Sequence, residues 1–93
     1  MELKGKLAIV TGVSKGIGLE TVKLLLDKGM IVAGWGRTNP ALDHVNYHFF
    51  GTDVSDWDNV QGSFQLTREK LGKASVLINN AGVSWGAPLE EFP

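Results

Sequence analysis

Cysteine is absent from the 93-residue chain. That removes disulfides and thiolate metal sites and fits a cytoplasmic setting. Charge of one sign is lacking too: nine basic residues against ten acidic ones leave a net charge of −1, and the basic ones form no run. Such a balance gives no electrostatic footprint for nucleic acid or for an anionic membrane. No apolar stretch approaches the roughly 20 residues of a transmembrane helix, and Met1–Lys6 lacks the apolar region of a signal peptide. Tyrosine occurs once, at Tyr47. What is present, 43% apolar and 20% charged residues, is ordinary for a globular protein. Residues 1–93 are therefore expected to form one small domain, burying roughly 60–65% of the surface its unfolded chain exposes.

Apolar runs and helical periodicities alternate. Leu7–Val10 reads as a strand buried on both faces. A helix from about Lys15 to Lys28 follows, with Leu19, Val22 and Leu26 on its buried side and Gly29 as its C-terminal cap. Ile31–Trp35 and Tyr47–Phe50 read as the second and third strands. A second helix starts near Ser55, which can cap it, and Asp56 and Asp58 suit the positive end of its dipole. Trp57, Val60, Phe64 and Leu71 share one face of that helix, and Gly72 closes it. Ser75–Ile78 is a fourth strand, and a further helix is expected to begin near Leu89. The order β-α-β-β-α-β predicts a parallel sheet with helices on its faces. Between the second and third strands only 11 residues, Gly36 to Asn46, are available, so that crossover must be short and irregular.

The turn after the first strand, Thr11–Gly18, holds three glycines in eight positions. A helix N-terminus presents unpaired N–H groups and partial positive charge, and a phosphate can use them only if the backbone comes close. Gly12 permits the sharp turn, Gly16 the close approach and Gly18 the packing of helix on sheet. The spacing G-x-x-x-G-x-G is neither the common dinucleotide pattern nor a phosphate loop ending in Lys-Ser or Lys-Thr. By itself it is also compatible with a tight, ligand-free connection. Asp53-Val54 after the third strand and Asn79-Asn80-Ala81-Gly82 after the fourth accompany it, all at carboxyl ends of strands.

Together these three motifs resemble the N-terminal, cofactor-binding half of the short-chain dehydrogenase/reductase family, over nearly the whole chain. The resemblance implies a Rossmann-type sheet of strand order 3-2-1-4, truncated before the catalytic half. It implies that Gly12, Ser14, Lys15, Gly16, Ile17 and Gly18 cradle a dinucleotide pyrophosphate. Asp53 and Val54 would meet the adenine, and Asn80, with Ala81 and Gly82 leaving room, the ribose. Asn79 would support the central strand. An NAD-preferring enzyme carries a carboxylate at the end of strand two; here that place is Gly36, followed by Arg37 and Thr38. Arg37 and Lys15 are cations suited to a 2′-phosphate, and Thr38 offers a hydroxyl. NADP(H) is the expected cofactor, although each cation alone reads equally well as a solvated charge. A very short second crossover also occurs among NAD-dependent members. His44 and His48 read as satisfied histidines rather than metal ligands. Trp35 and Trp57 are expected in or around the core, and Trp85 lines either a substrate cleft or a packed loop.

The family's hydride transfer between nicotinamide and a small carbonyl or alcohol needs a Tyr, a Lys four residues later and a Ser, all after the Asn-Asn-Ala-Gly turn. Tyr47 precedes that turn, and the residue four later is Gly51. No residue present suits the catalytic role, so the sequence reads as half of a domain, with the fourth strand and an apolar helix face expected to be exposed. The intact protein is expected to be a homo-oligomeric oxidoreductase; reduction of a 3-oxoacyl thioester is a common role of similar sequences. The alternative is a non-catalytic nucleotide-binding or assembly module. The purified 93-residue chain alone should oxidise no NADPH with any carbonyl substrate; spectrophotometric turnover above the buffer blank would contradict this.

Overall fold

The computed structural model describes residues 2–14 and 16–80. Within them the elements are β1 (Leu7–Thr11), α1 (Gly16–Asp27), β2 (Ile31–Gly36), β3 (Tyr47–Gly51), α2 (Trp57–Leu71) and β4 (Val76–Asn79). All neighbouring strands are parallel, in the order β3-β2-β1-β4. The expected fold is thus observed. The helix expected near Leu89, Trp85 and the site positions Lys15, Ala81 and Gly82 lie outside the described residues.

Register explains why the strand ends form one rim. Thr11 of β1 faces Trp35 of β2 and Asn79 of β4, and Gly36 of β2 faces Gly51 of β3. Every β1 residue is buried, as expected of a central strand covered on both faces. Side chains alternate between those faces. Ala8, Val10, Val32 and Tyr47 pack with Val22 and Leu26 of α1, while Leu7, Ile9, Ala33, Trp35 and Phe50 pack with Val60 and Phe64 of α2. Each buried Val, Leu, Ile or Phe side chain among them contributes about 1.5–3 kcal/mol by leaving water.

Polar groups are matched on the α2 side. The Trp35 ring meets Phe64 edge-on, centroids 6.2 Å apart at 80°, an arrangement worth about 0.5–1.5 kcal/mol beyond its area. Its indole Nε1–H donates to Thr67 Oγ1 at 3.2 Å, and Thr67 in turn donates to the Ser63 carbonyl at 2.7 Å. Ser63 and Thr52 share a buried hydroxyl pair at 2.6 Å.

Two expectations about α2 need correction. Its N-cap is Asp56, not Ser55: the Asp56 carboxylate accepts from the Asn59 amide at 3.3 Å. Ser55 is engaged upstream, where its hydroxyl donates to Asp53 at 2.6 Å. Trp57 is 45% exposed, because the buried stripe starts one turn later, at Val60. Trp35, in contrast, is wholly buried. Gly29 and Gly72 end their helices with φ of +83° and +96°, as their placement in the sequence suggests.

The β2–β3 crossover contains no helix. It is held by short-range bonds instead: Asn39 Oδ1 accepts from the Ala41 amide at 2.9 Å, and His44 Nδ1 accepts from the Asn46 amide at 3.0 Å. Leu42 tucks against the α1-side core.

Two glycines mark close approaches. A Cβ on Gly18 would lie 1.8 Å from the Gly12 carbonyl oxygen, so the first turn of α1 rests on the backbone of the turn before it. A Cβ on Gly34 would strike the Tyr47 ring, which lies over it; Tyr47 Oη is buried with no hydrogen-bond partner. Burial pushes that phenol from 10.0 up to about 12.

Gly18→Ala should destabilise the protein by about 1–3 kcal/mol or more, since the obstruction is main chain and cannot swing aside; denaturant melts would read this, and an unshifted midpoint would contradict the contact. Tyr47→Phe removes an unpaired buried hydroxyl and should leave stability equal or higher. A raised phenol value stabilises the folded state fully below the unfolded value near 10.0, and that contribution is lost as pH rises through about 12. The alkaline decline, up to roughly 2–3 kcal/mol, should be smaller in Tyr47→Phe. A clear loss of neutral-pH stability in that variant would mean that the hydroxyl has a partner.

Candidate nucleotide-binding site

The carboxyl ends of the four strands gather the sequence motifs on one rim. At β1, Gly12 turns the chain with φ of +67° and is fixed by its amide, which donates to the Trp35 carbonyl at 3.0 Å. Val13 is buried beneath the turn, whereas Gly16 and Ile17 are exposed, Ile17 at 79%. Gly16 has φ of +64°, and nothing lies within 4 Å of where its Cβ would be. The glycines therefore divide their tasks: Gly18 accepts a backbone contact from behind, and Gly16 leaves the outer side of the turn open. A group with phosphate geometry can approach the α1 N-terminus over Gly16.

At the end of β2, Gly36 is buried against the glycine turn; a Cβ there would lie 3.3 Å from Ser14 Oγ and 3.4 Å from Val13 Cγ2. Ser14 Oγ donates to the Thr38 carbonyl at 2.6 Å, tying the turn to the start of the crossover. Arg37 extends outward and pairs with Asp53 across the rim, Nη2 to Oδ1 at 3.2 Å.

At the end of β3, Asp53 is held from several sides. Its amide donates to Asn59 Oδ1 at 2.6 Å, and its Oδ1 accepts from the Ser55 hydroxyl at 2.6 Å and the Ser55 amide at 3.0 Å. The Ser55 hydroxyl, then the Ser55 amide, then Arg37 pull its carboxyl below the ordinary 3.8. It is a carboxylate at neutral pH. Val54 is half-buried and packs on the α2-side core.

At the end of β4, Thr11 binds both asparagines. Its hydroxyl donates to Asn79 Oδ1 at 2.9 Å and accepts from the Asn80 amide at 3.0 Å. Asn79 is thereby tied to the central strand, and Asn80 stands exposed beside β1.

Among the described residues, the rim thus brings together Gly12, Ser14, Gly16, Ile17, Gly18, Arg37, Thr38, Asp53, Val54 and Asn80. Sequence reasoning missed Thr11, Asn59 and Ser55, which position these groups. A hydroxyl at the last residue of a buried strand was the available signal for Thr11. Asn59 gave none, since its partner is the main chain of a residue outside its helix. His44 and His48 stand away from this set, in the crossover and on β3. Backbone donors at a helix start, one guanidinium, one carboxylate and an asparagine form a set that can meet the phosphate, ribose and base of a phosphorylated adenosine.

The model of the short chain dehydrogenase family matches residues 6–93. D-beta-hydroxybutyrate dehydrogenase of Cupriavidus necator is 35% identical, with 98% of this chain and 39% of that protein aligned. A 3-oxoacyl-acyl-carrier-protein reductase of Chlamydia pneumoniae is 37% identical across 88% of this chain and 37% of its own length. Among solved structures, a short chain dehydrogenase of Leptospira borgpetersenii with bound NAD+ superposes with a TM-score of 0.79 at 26% identity, covering 97% of this chain and 36% of that one. The chain spans about two fifths of the length of the curated relatives it matches. With this topology, this rim and a family match across nearly all its residues, the chain belongs to the short-chain dehydrogenase family of NAD(P)-binding oxidoreductases.

Proposed function

We propose that this chain is the cofactor-binding half of an NADP(H)-dependent oxidoreductase acting on a small carbonyl or alcohol. The observation that carries the reading is the rim at β2. The position suited to a ribose-binding carboxylate is Gly36, and the next side chain is the guanidinium of Arg37, exposed and directed across the site. In this reading the open side of Gly16 admits the pyrophosphate to the α1 N-terminus, Asp53 accepts from the adenine amino group, and Asn80 meets the ribose. Lys15, Ala81 and Gly82 are assigned to the same site from their place in the motifs. Ile17, largely exposed at the first turn of α1, belongs to the same pyrophosphate-facing turn. The nicotinamide, when bound, supplies or accepts the hydride; the chain's own residues bind and orient it.

A second reading, NAD(H) as the cofactor, is favoured by one observation. Asp53 neutralises Arg37 at 3.2 Å, which lessens the attraction for a 2′-phosphate. The NAD+ bound to the Leptospira relative points the same way.

Arg37→Asp in the complete gene product separates the two. Losing a charge-assisted contact of about 1.5–3 kcal/mol should lower the kcat/KM ratio of NADP(H) to NAD(H) by tenfold or more. An unchanged ratio would show that Arg37 does not read the phosphate.

A further inference from the structure

Asp53 is bonded asymmetrically. All three of its side-chain contacts, from Ser55 Oγ, Ser55 N and Arg37 Nη2, fall on Oδ1. The two from Ser55 close a local turn and tie the carboxylate to its own backbone. Arg37 is the loose partner: its side chain is 76% exposed, and the pair is joined through one nitrogen of a five-donor fork. A fixed anion therefore stands 3.2 Å from the rim's guanidinium. Any second anion that seeks Arg37 must share it with Asp53 and approach a like charge.

We infer that Asp53 limits how strongly this site prefers a 2′-phosphorylated adenosine, acting from the end of β3 as the counter-charge that the end of β2 lacks. Gly36 itself carries no charge, and a Cβ added there would sit tightly, 3.3 Å from Ser14 Oγ and 3.4 Å from Val13 Cγ2. The inference rests on the NADP(H) reading and adds a specificity role to a residue otherwise assigned only to the adenine. Its strength is bounded by solvent, because the side chains are 76% and 41% exposed and such pairs are weakened by screening. Removing the carboxylate should change relative affinity by about two- to fivefold, the range of an exposed pair.

The test compares two probes that share adenine and a 5′-phosphate: 2′,5′-ADP, which carries the 2′-phosphate, and 5′-AMP, which lacks it. Because the adenine contact is common to both, its loss cancels in the ratio of dissociation constants. Calorimetric titration of the complete gene product carrying Asp53→Asn should show the preference for 2′,5′-ADP raised about two- to fivefold at low ionic strength, with the gain shrinking in 0.5 M salt, about where the screening length falls to a few ångströms. Asp53→Ser, which also removes the charge, should shift the ratio the same way. A ratio that stays level or falls in both variants overturns the inference and makes Asp53 a support for Arg37 instead. Arg37→Ala identifies failure of the underlying reading: if it leaves the ratio untouched, both the NADP(H) assignment and this inference fall.

Discussion

The rim depends on one backbone contact, Gly18 against the carbonyl of Gly12. It brings the first turn of α1 so close to β1 that no side chain fits between them. Once the helix is seated there, its unpaired amides stand at the edge of the sheet rather than behind a side chain. Among the described residues, nothing beyond its chain neighbours lies within 4 Å of where a Gly16 Cβ would be, which leaves space there for a ligand. Gly12 is held in place from the neighbouring strand, through the Trp35 carbonyl. The same Trp35 anchors α2 through Phe64 and Thr67 on the opposite face. The glycine turn and the second helix are thus referred to one residue of β2.

Lateral hydrogen bonds fix the remaining strand ends. Thr11 joins β1 to β4, Ser14 joins the turn to the crossover, and Asn59 joins α2 to Asp53, two residues past β3. Asn59, Ser63 and Thr67 recur at four-residue spacing, so they form a polar line along α2. Each meets a polar group outside the helix: the Asp53 amide, the Thr52 hydroxyl and the Trp35 indole. Buried polar groups satisfied in this way fix the helix in rotation and translation more sharply than apolar packing alone.

Much of this was legible in the sequence because it is local. Leu7–Val10, the helical spacing of Leu19, Val22 and Leu26, and glycines at both helix ends gave the element order. The alternation of strands and helices announced the parallel sheet, and the motifs after strands one, three and four announced the rim. What was not legible depends on partners brought together by register. The Arg37–Asp53 pair spans 16 positions across two strand ends, and nothing in either neighbourhood announces it. Ser55 was expected to cap α2 because its type and place allow it, yet the carboxylate two residues before claims its hydroxyl, leaving Asp56 to cap. Trp57 obeys the helical period but precedes the point at which α2 meets the sheet. The unpaired Tyr47 hydroxyl follows from Gly34 on the next strand, a distance relation that periodicity does not encode.

The helix-free link between β2 and β3 has a consequence for how this rim can change. Gly36, Arg37, Thr38, Asp53 and Ser55 sit on one uninterrupted piece of chain, with only a loop and one short strand inside it. The glycine turn of β1 and the asparagines of β4 lie on separate stretches of chain, so the charged corner can be altered without touching either. The Arg37–Asp53 pair therefore lies within that one piece, which Ser14 and Asn59 hold from outside.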